Sequence, residues 1–279
     1  MRGVDALVAV ELGSIRFRLL EVHDFSWLEE YGRVFRVFDE QDSGNIGFGV
    51  AKDDTKLFIK YAGARTIGYD GTPEDAVHRL ARAVSAFRAL RHPHLVDLVE
   101  AKVIGDGYAV VFEWFEGENL RTPIRPNPQL FALSVEERMR MFGKILEFHR
   151  HVEEMEYVAI DFYDGSLIYS YQSGETRICD IDFYSKKPYA NSMGRLWGSG
   201  RFMSPEEFTL GAAIDQRTNV FNMGATAFFL FGGTLDRSRD KWVAGDELYR
   251  IALKAVSRAR EDRHGNVARF HEVWSYASC

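Results

Sequence analysis

Two aspartates that bracket a short hairpin constrain this chain more than any other feature. After Asp161-Phe-Tyr-Asp-Gly-Ser166 the chain runs strand-like from Leu167 to Tyr171, turns at Gln172-Ser-Gly-Glu175 and returns from Thr176 to Ile181. That return delivers Asp182, in Asp180-Ile-Asp-Phe-Tyr184, beside Asp161. A lone aspartate reads as a turn or cap residue, whereas two carboxylates joined by a hairpin read as a site. A third stretch, Gly198-Ser-Gly-Arg-Phe-Met-Ser-Pro-Glu206, follows in order, with Glu206 24 residues beyond Asp182 and Asp182 21 beyond Asp161.

With 279 residues, 46% hydrophobic and 27% charged, the chain is long enough for two modest lobes around a sizeable core. A net charge of -6 opposes a nucleic-acid interface, which needs a dense field of Lys and Arg. The Arg79, Arg82, Arg88 and Arg91 set on one expected helix reads as a solvated face, with a docking site for an acidic partner as the alternative. Cys179 and Cys279 make neither a disulfide framework nor a metal cluster, which suits a reducing cytoplasm. No signal peptide is visible, and the longest apolar run, Val220 to Phe231, falls short of the ~20 residues of a membrane span. That run reads as a buried helix, and the expected location is cytoplasmic.

Residues Met1 to Glu30 alternate in a strand-like way and read as an N-terminal extension of unknown role. From Tyr31 to Trp114 the pattern is strands plus one helix. Lys52-Asp-Asp-Thr55 turns into a strand at Leu57–Tyr61, and Gly105-Asp-Gly107 turns a second hairpin. Thr72-Pro-Glu-Asp75 is a capping box with proline at the first helical position, and Val77, Leu80, Val84 and Phe87 continue at helical spacing until His92-Pro93. A second capping box at Ser134-Val-Glu-Glu137 opens a helix with Met139, Phe142, Leu146 and Val152 inward, and the remainder is mainly helical. His92, His94, His149 and His151 read as core or surface residues rather than metal ligands.

In this order the three stretches resemble the catalytic loop, metal-binding loop and activation-segment end of eukaryotic-like (bacterial-type) serine/threonine protein kinases, over roughly Val34 to Trp274. The resemblance implies an α+β, two-lobed protein-kinase-like fold: a small antiparallel-sheet N-lobe with one helix over 31–115 and a mainly helical C-lobe over 116–279. It implies ATP and Mg2+ as cofactors and a protein substrate whose hydroxyl is oriented by Asp161. Lys60, in Phe58-Ile-Lys-Tyr61, resembles the phosphate-pairing lysine of Val-Ala-Ile-Lys, and Asp182 with Ser166 or Asp164 would hold the metal. Gly44, Gly47 and Gly49 would form the nucleotide loop, with Val50 above and Ile168 below adenine. Phe112 would be the gatekeeper, and the backbone of Glu113 and Phe115 would meet the base. Ser199, Ser204, Pro205 and Glu206 match the substrate-docking segment, an anchor that aminoglycoside-type kinases generally lack. Arg263 resembles the late arginine that pairs with Glu206, and Thr218–Gly224 a buried helix start.

Several residues depart from the family pattern. The glycines are spaced three and two apart, so the loop is not Gly-x-Gly-x-x-Gly. The lysine-pairing glutamate falls at Ala83, with no acid between Ala76 and Arg91. Ser166 replaces the metal-binding asparagine, Ala159-Ile160 replaces His-Arg, Tyr184 replaces glycine and Asn219 replaces a bracing aspartate. These departures leave two alternatives beside an atypical serine/threonine kinase. One is a pseudokinase that binds nucleotide or scaffolds. The other is a small-molecule phosphotransferase.

Overall fold

The computed structural model describes residues 7–121 and 127–278, so Cys279 and the first six residues of the expected extension lie outside it. The chain is mixed α and β, with antiparallel sheets and six α-helices among the described residues. It divides into two compact units, one running to Arg88 together with Val96–Phe115, the other Ala89–Leu95 together with the chain from Glu116 on.

In the first unit, β1 (Val8–Leu12) and β2 (Ile15–Leu19) form a hairpin. They precede a five-stranded sheet of β3 (Arg33–Phe38), β4 (Asn45–Lys52), β5 (Thr55–Ala62), β6 (Leu98–Ile104) and β7 (Gly107–Glu113), in the order β3-β4-β5-β7-β6. Helix α1 (Pro73–Ala89) starts as its sequence implies: Thr72 Oγ1 accepts the Asp75 N–H at 3.2 Å, and Asp75 Oδ2 takes the Thr72 hydroxyl at 3.1 Å. Val77 stays half-buried, while Leu80, Ala83, Val84 and Phe87 bury.

Because side chains alternate across a strand, the two faces of this sheet carry different chemistry. Ile46, Phe48, Val50, Ile59 and Tyr61 point to one face and are closed over by Phe17, Leu19, Phe25 and Leu28. The segment expected as an extension therefore supplies the second layer of this core, each such side chain stabilising by about 1.5–3 kcal/mol. Lys60 and Phe58 lie on the opposite face, where Gly47 pairs with Lys60 and Gly49 with Phe58.

Two sequence expectations change on that geometry. Val50 pairs with Leu57, one residue out of phase with the Lys60 face, and is fully buried under the N-terminal hairpin, so it does not cover a ligand on that face. Gly47 and Gly49 lie within β4 rather than in a loop; the β3–β4 turn holds only Ser43 and Gly44 of the expected set. A Cβ on Gly47 would come within 2.8 Å of the Phe58 ring, and one on Gly49 within 2.8 Å of Phe35, so these glycines make room for aromatic rings. Gly44, at φ 75°, sits under Tyr69, and Arg79 clamps the turn by donating to the Ser43 carbonyl (3.1 Å) and the Tyr69 hydroxyl (2.8 Å).

The second unit opens with β8 (Glu118–Asn119), α2 (Pro128–Ala132) and α3 (Val135–Glu154), the last capped by the Ser134–Glu137 box. Then come β9 (Tyr157–Val158), the hairpin of β10 (Leu167–Ser170) and β11 (Glu175–Ile178), and the short strands β12 (Ser185–Lys186), β13 (Tyr189–Ala190) and β14 (Ala213–Ile214). Helices α4 (Gln216–Phe231), α5 (Asp246–Ala255) and α6 (Val267–Ala277) complete it. On α3 the buried stripe includes Met141, Phe142, Ile145, Leu146, Phe148 and Val152, whereas Met139 is only half-buried. Every residue of α4 from Thr218 to Phe231 is buried, as the apolar run implies. Among the described residues no helix is long and apolar enough to cross a membrane.

Candidate active site

Asp161 follows the buried run Tyr157–Ile160 and adopts a left-handed backbone, φ 64°. Non-glycine residues reach that region at a cost of about 1 kcal/mol and persist there when their surroundings hold them. Here the clamps are visible on both sides. Asn219, at the start of α4, accepts the Ala159 N–H at 2.8 Å, and the Ser166 hydroxyl donates to the Asp161 carbonyl at 3.4 Å. Gly198, at φ 138°, lies alongside, where a Cβ would make ordinary van der Waals contact with the Asp161 Cα at 3.6 Å. Asn219 thus braces the backbone two residues before Asp161.

The hairpin that leads to Asp182 is tied to this loop. The Cys179 N–H donates to the Ser166 carbonyl at 2.9 Å, and β8 joins in through Asn119, whose amide donates to the Gly165 carbonyl at 2.7 Å. Burial, together with the Asp180 and Asp161 carboxylates, pushes the Tyr163 hydroxyl well above its usual range. Cys179 is in no disulfide.

Tyr184, which stands in the glycine position, is buried, and its hydroxyl donates to Nε2 of His149 at 2.8 Å. His149 Nδ1–H donates to the Ile145 carbonyl at 2.8 Å, which fixes the tautomer. Burial lowers the imidazole to about 4, so it stays neutral and accepts from tyrosine. The Asp182-Phe-Tyr184 segment is thereby anchored to α3, where glycine would leave it loose.

The candidate metal ligands fall into different environments. Asp182 is half-buried. Asp164 is fully buried and ion-paired to Arg201 at 2.8 Å, and Arg201 also donates to the Ser199 hydroxyl at 3.2 Å. Ser166 is fully buried, with its hydroxyl turned into the loop. Among the described residues no group of three or more His, Cys, Asp or Glu side chains is arranged to hold a metal. Of the three candidates Asp182 alone is a carboxylate that is neither fully buried nor paired to Arg201, the kind of group that binds magnesium when phosphates complete the shell. Arg201, 37 residues from Asp164, is a participant that no sequence spacing announces.

Beyond the loop, Glu206 is held by a bidentate pair from Arg263, Nη1 to Oε1 at 2.7 Å and Nη2 to Oε2 at 3.0 Å, and by the Thr218 hydroxyl at 2.9 Å. Burial works to raise its carboxyl, but Arg263 outweighs it and holds Glu206 below the usual range. Ser204 and Pro205 start the turn that carries it, where Glu207 Oε2 accepts from the Ser204 N–H (2.6 Å) and hydroxyl (2.8 Å). Burial pushes the Glu207 carboxyl up to about 7 from an ordinary 4.5. The folded state therefore binds this proton more tightly, and its contribution to stability, complete below about pH 4.5, is lost as pH rises through 7. Glu207→Gln, which cannot ionise, is expected to gain on the wild type by up to about 3 kcal/mol between pH 5 and pH 8. Parallel thermal melts that track each other across that range would contradict this.

Among the nucleotide-side expectations, Lys60 is buried on β5, and Phe112 is buried with its ring 4.9 Å from that of Phe87. The Glu113 N–H donates to the Asp97 carbonyl at 2.9 Å, Phe115 is half-buried, and Ile168, in the second unit, is half-buried on β10. Ala83, in the expected glutamate position, is buried on α1.

The chain is 23% identical over 209 residues, 72% of its length, to the serine/threonine-protein kinase pkn2 of Myxococcus xanthus. It is 22% identical over 180 residues, 64% of its length, to the serine/threonine-protein kinase PrkC of Bacillus subtilis. It is a distant relative of bacterial serine/threonine kinases. The chain spans about a quarter of each relative, 24% and 26% of their lengths. No family model matches.

Proposed function

We propose that this chain is a two-lobed, protein-kinase-like phosphotransferase that moves the γ-phosphate of ATP to a protein hydroxyl. The observation that carries the reading is the Asp161 loop, a carboxylate in a strained backbone conformation clamped by Asn219 and Ser166. Strain maintained by such clamps is characteristic of functional sites. Asp161 orients the acceptor hydroxyl and takes up its proton, and Lys60 is assigned to the nucleotide phosphates. Asp182 would hold Mg2+, whose chemistry is to neutralise phosphate charge. Asp164 and Ser166 are assigned to bracing the loop, Asp164 through Arg201. The anchor pair Glu206–Arg263 supports a protein rather than a small-molecule acceptor, with Ser199, Ser204 and Pro205 in the docking segment.

Binding without transfer is the second reading. Phe58 stands where Val-Ala-Ile-Lys has alanine, its ring over Gly47, and α1 carries no acid near Ala83. A thermal shift with ATP and Mg2+, paired with radiolabelled phosphate transfer, separates the two. On the proposed reading the wild type is stabilised and labels protein, while Asp182→Asn loses the Mg2+-dependent part of the shift. Stabilisation without label supports the second reading, and no shift at saturating nucleotide would sink both.

A further inference from the structure

Asn219 has a second partner that explains why it is not an aspartate. Its Oδ1 accepts the Ala159 N–H at 2.8 Å, so its Nδ2 must face the other way, toward Oε1 of Glu153 at 3.4 Å and the Tyr157 carbonyl at 3.5 Å. Both of those groups are acceptors, and a carboxylate in place of this amide would set its second oxygen against them. Glu153 is itself fixed, because its Oε2 accepts the Val267 N–H, the first of helix α6, at 2.9 Å. Glu153, Ala159, Asn219 and Val267 all lie in the second unit.

We infer that Glu153 is a positioning residue for the Asp161 loop: it accepts from the Asn219 amide and acts on the loop through it. The chain of bonds runs from the α6 N-terminus through Glu153 and Asn219 to Ala159, two residues before Asp161. Glu153 accepts on both sides, while Asn219 has one donor side and one acceptor side, so the order of groups is directional. Glu153→Gln alone presents an amide where two donors converge, and Asn219→Asp alone presents a carboxylate to a carboxylate. The double change restores a donor–acceptor match between residues 153 and 219, with only the Tyr157 carbonyl, at 3.5 Å, left facing the introduced carboxylate. The oxygen of the introduced amide accepts from Val267, and its NH2 group donates to the introduced carboxylate.

The kinetic half of the test rests on the phosphotransfer reading; hydrogen exchange at the Ala159 amide does not. Each single variant is expected to speed exchange there about tenfold or more, the loss of one buried hydrogen bond. Amides of α4 serve as the folding control. Each single is also expected to lower kcat with little change in KM for ATP. Glu153→Gln/Asn219→Asp should return both readouts to within about threefold of the wild type, reversing the losses of its parents. A single variant that fails to fold should be rescued in the same double. Losses that simply multiply in the double, a double that stays unfolded, or an Ala159 exchange rate unmoved by Glu153→Gln would overturn the inference. If the wild type transfers no phosphate, the exchange data still decide it, and the failure then belongs to the phosphotransfer reading.

Discussion

Arg263→Met is expected to destabilise the protein by about 3–5 kcal/mol, because it strips a buried carboxylate of its bidentate partner and leaves only Arg260, at 3.9 Å, as counter-charge. The Arg263 side chain is 0% exposed and that of Glu206 4% exposed, so water cannot replace the lost guanidinium. Arg263 also donates to the Ser257 carbonyl at 2.8 Å and the Arg217 carbonyl at 3.0 Å, and it lies over the Phe221 ring at 4.9 Å. One side chain thus ties the Glu206 turn to the start of α4 and to the segment after α5. At about 2–4 °C per kcal/mol, the melting temperature should fall by roughly 10 °C. Arg263→Lys should recover only part, since an ammonium cannot make the two parallel bonds. Glu206→Met/Arg263→Met should be milder than Arg263→Met alone, because removing both charges abolishes the unpaired one. A loss below about 1 kcal/mol for Arg263→Met would show that the pair does not hold this region.

How much of this was legible in the sequence depends on the range of each interaction. The capping boxes at Thr72 and Ser134, the hairpin between Ser166 and Asp182 and the buried α4 are written in local spacing, and all form. The Glu206–Arg263 pair was accessible only through the resemblance, since nothing local links residues 57 apart. Val50 failed because a period of two gives no label to a face: a strand is equally alternating whichever side meets the N-terminal hairpin. Gly47 and Gly49 read as a loop because glycine marks both turns and close packing, and only the positions of Phe58 and Phe35 distinguish them. Asp164–Arg201 and Glu153–Asn219 were hidden because polar partners brought together by folding leave no periodic trace.

The proposed phosphotransfer rests on Asp161 performing chemistry. Removing a general base typically slows transfer by about 10²–10⁴-fold, whereas nucleotide affinity does not depend on the group that orients the acceptor. In Asp161→Ala the Asn219 grip on the Ala159 backbone and the Ser166 bond to the residue 161 carbonyl remain, since neither runs through the Asp161 side chain. The decisive measurement is labelled phosphate transfer from ATP by the wild type and Asp161→Ala at equal nucleotide occupancy, with occupancy set by thermal shift. The expected result is equal stabilisation by ATP and Mg2+ in both proteins and label from the wild type alone. Equal labelling by the two proteins would contradict it.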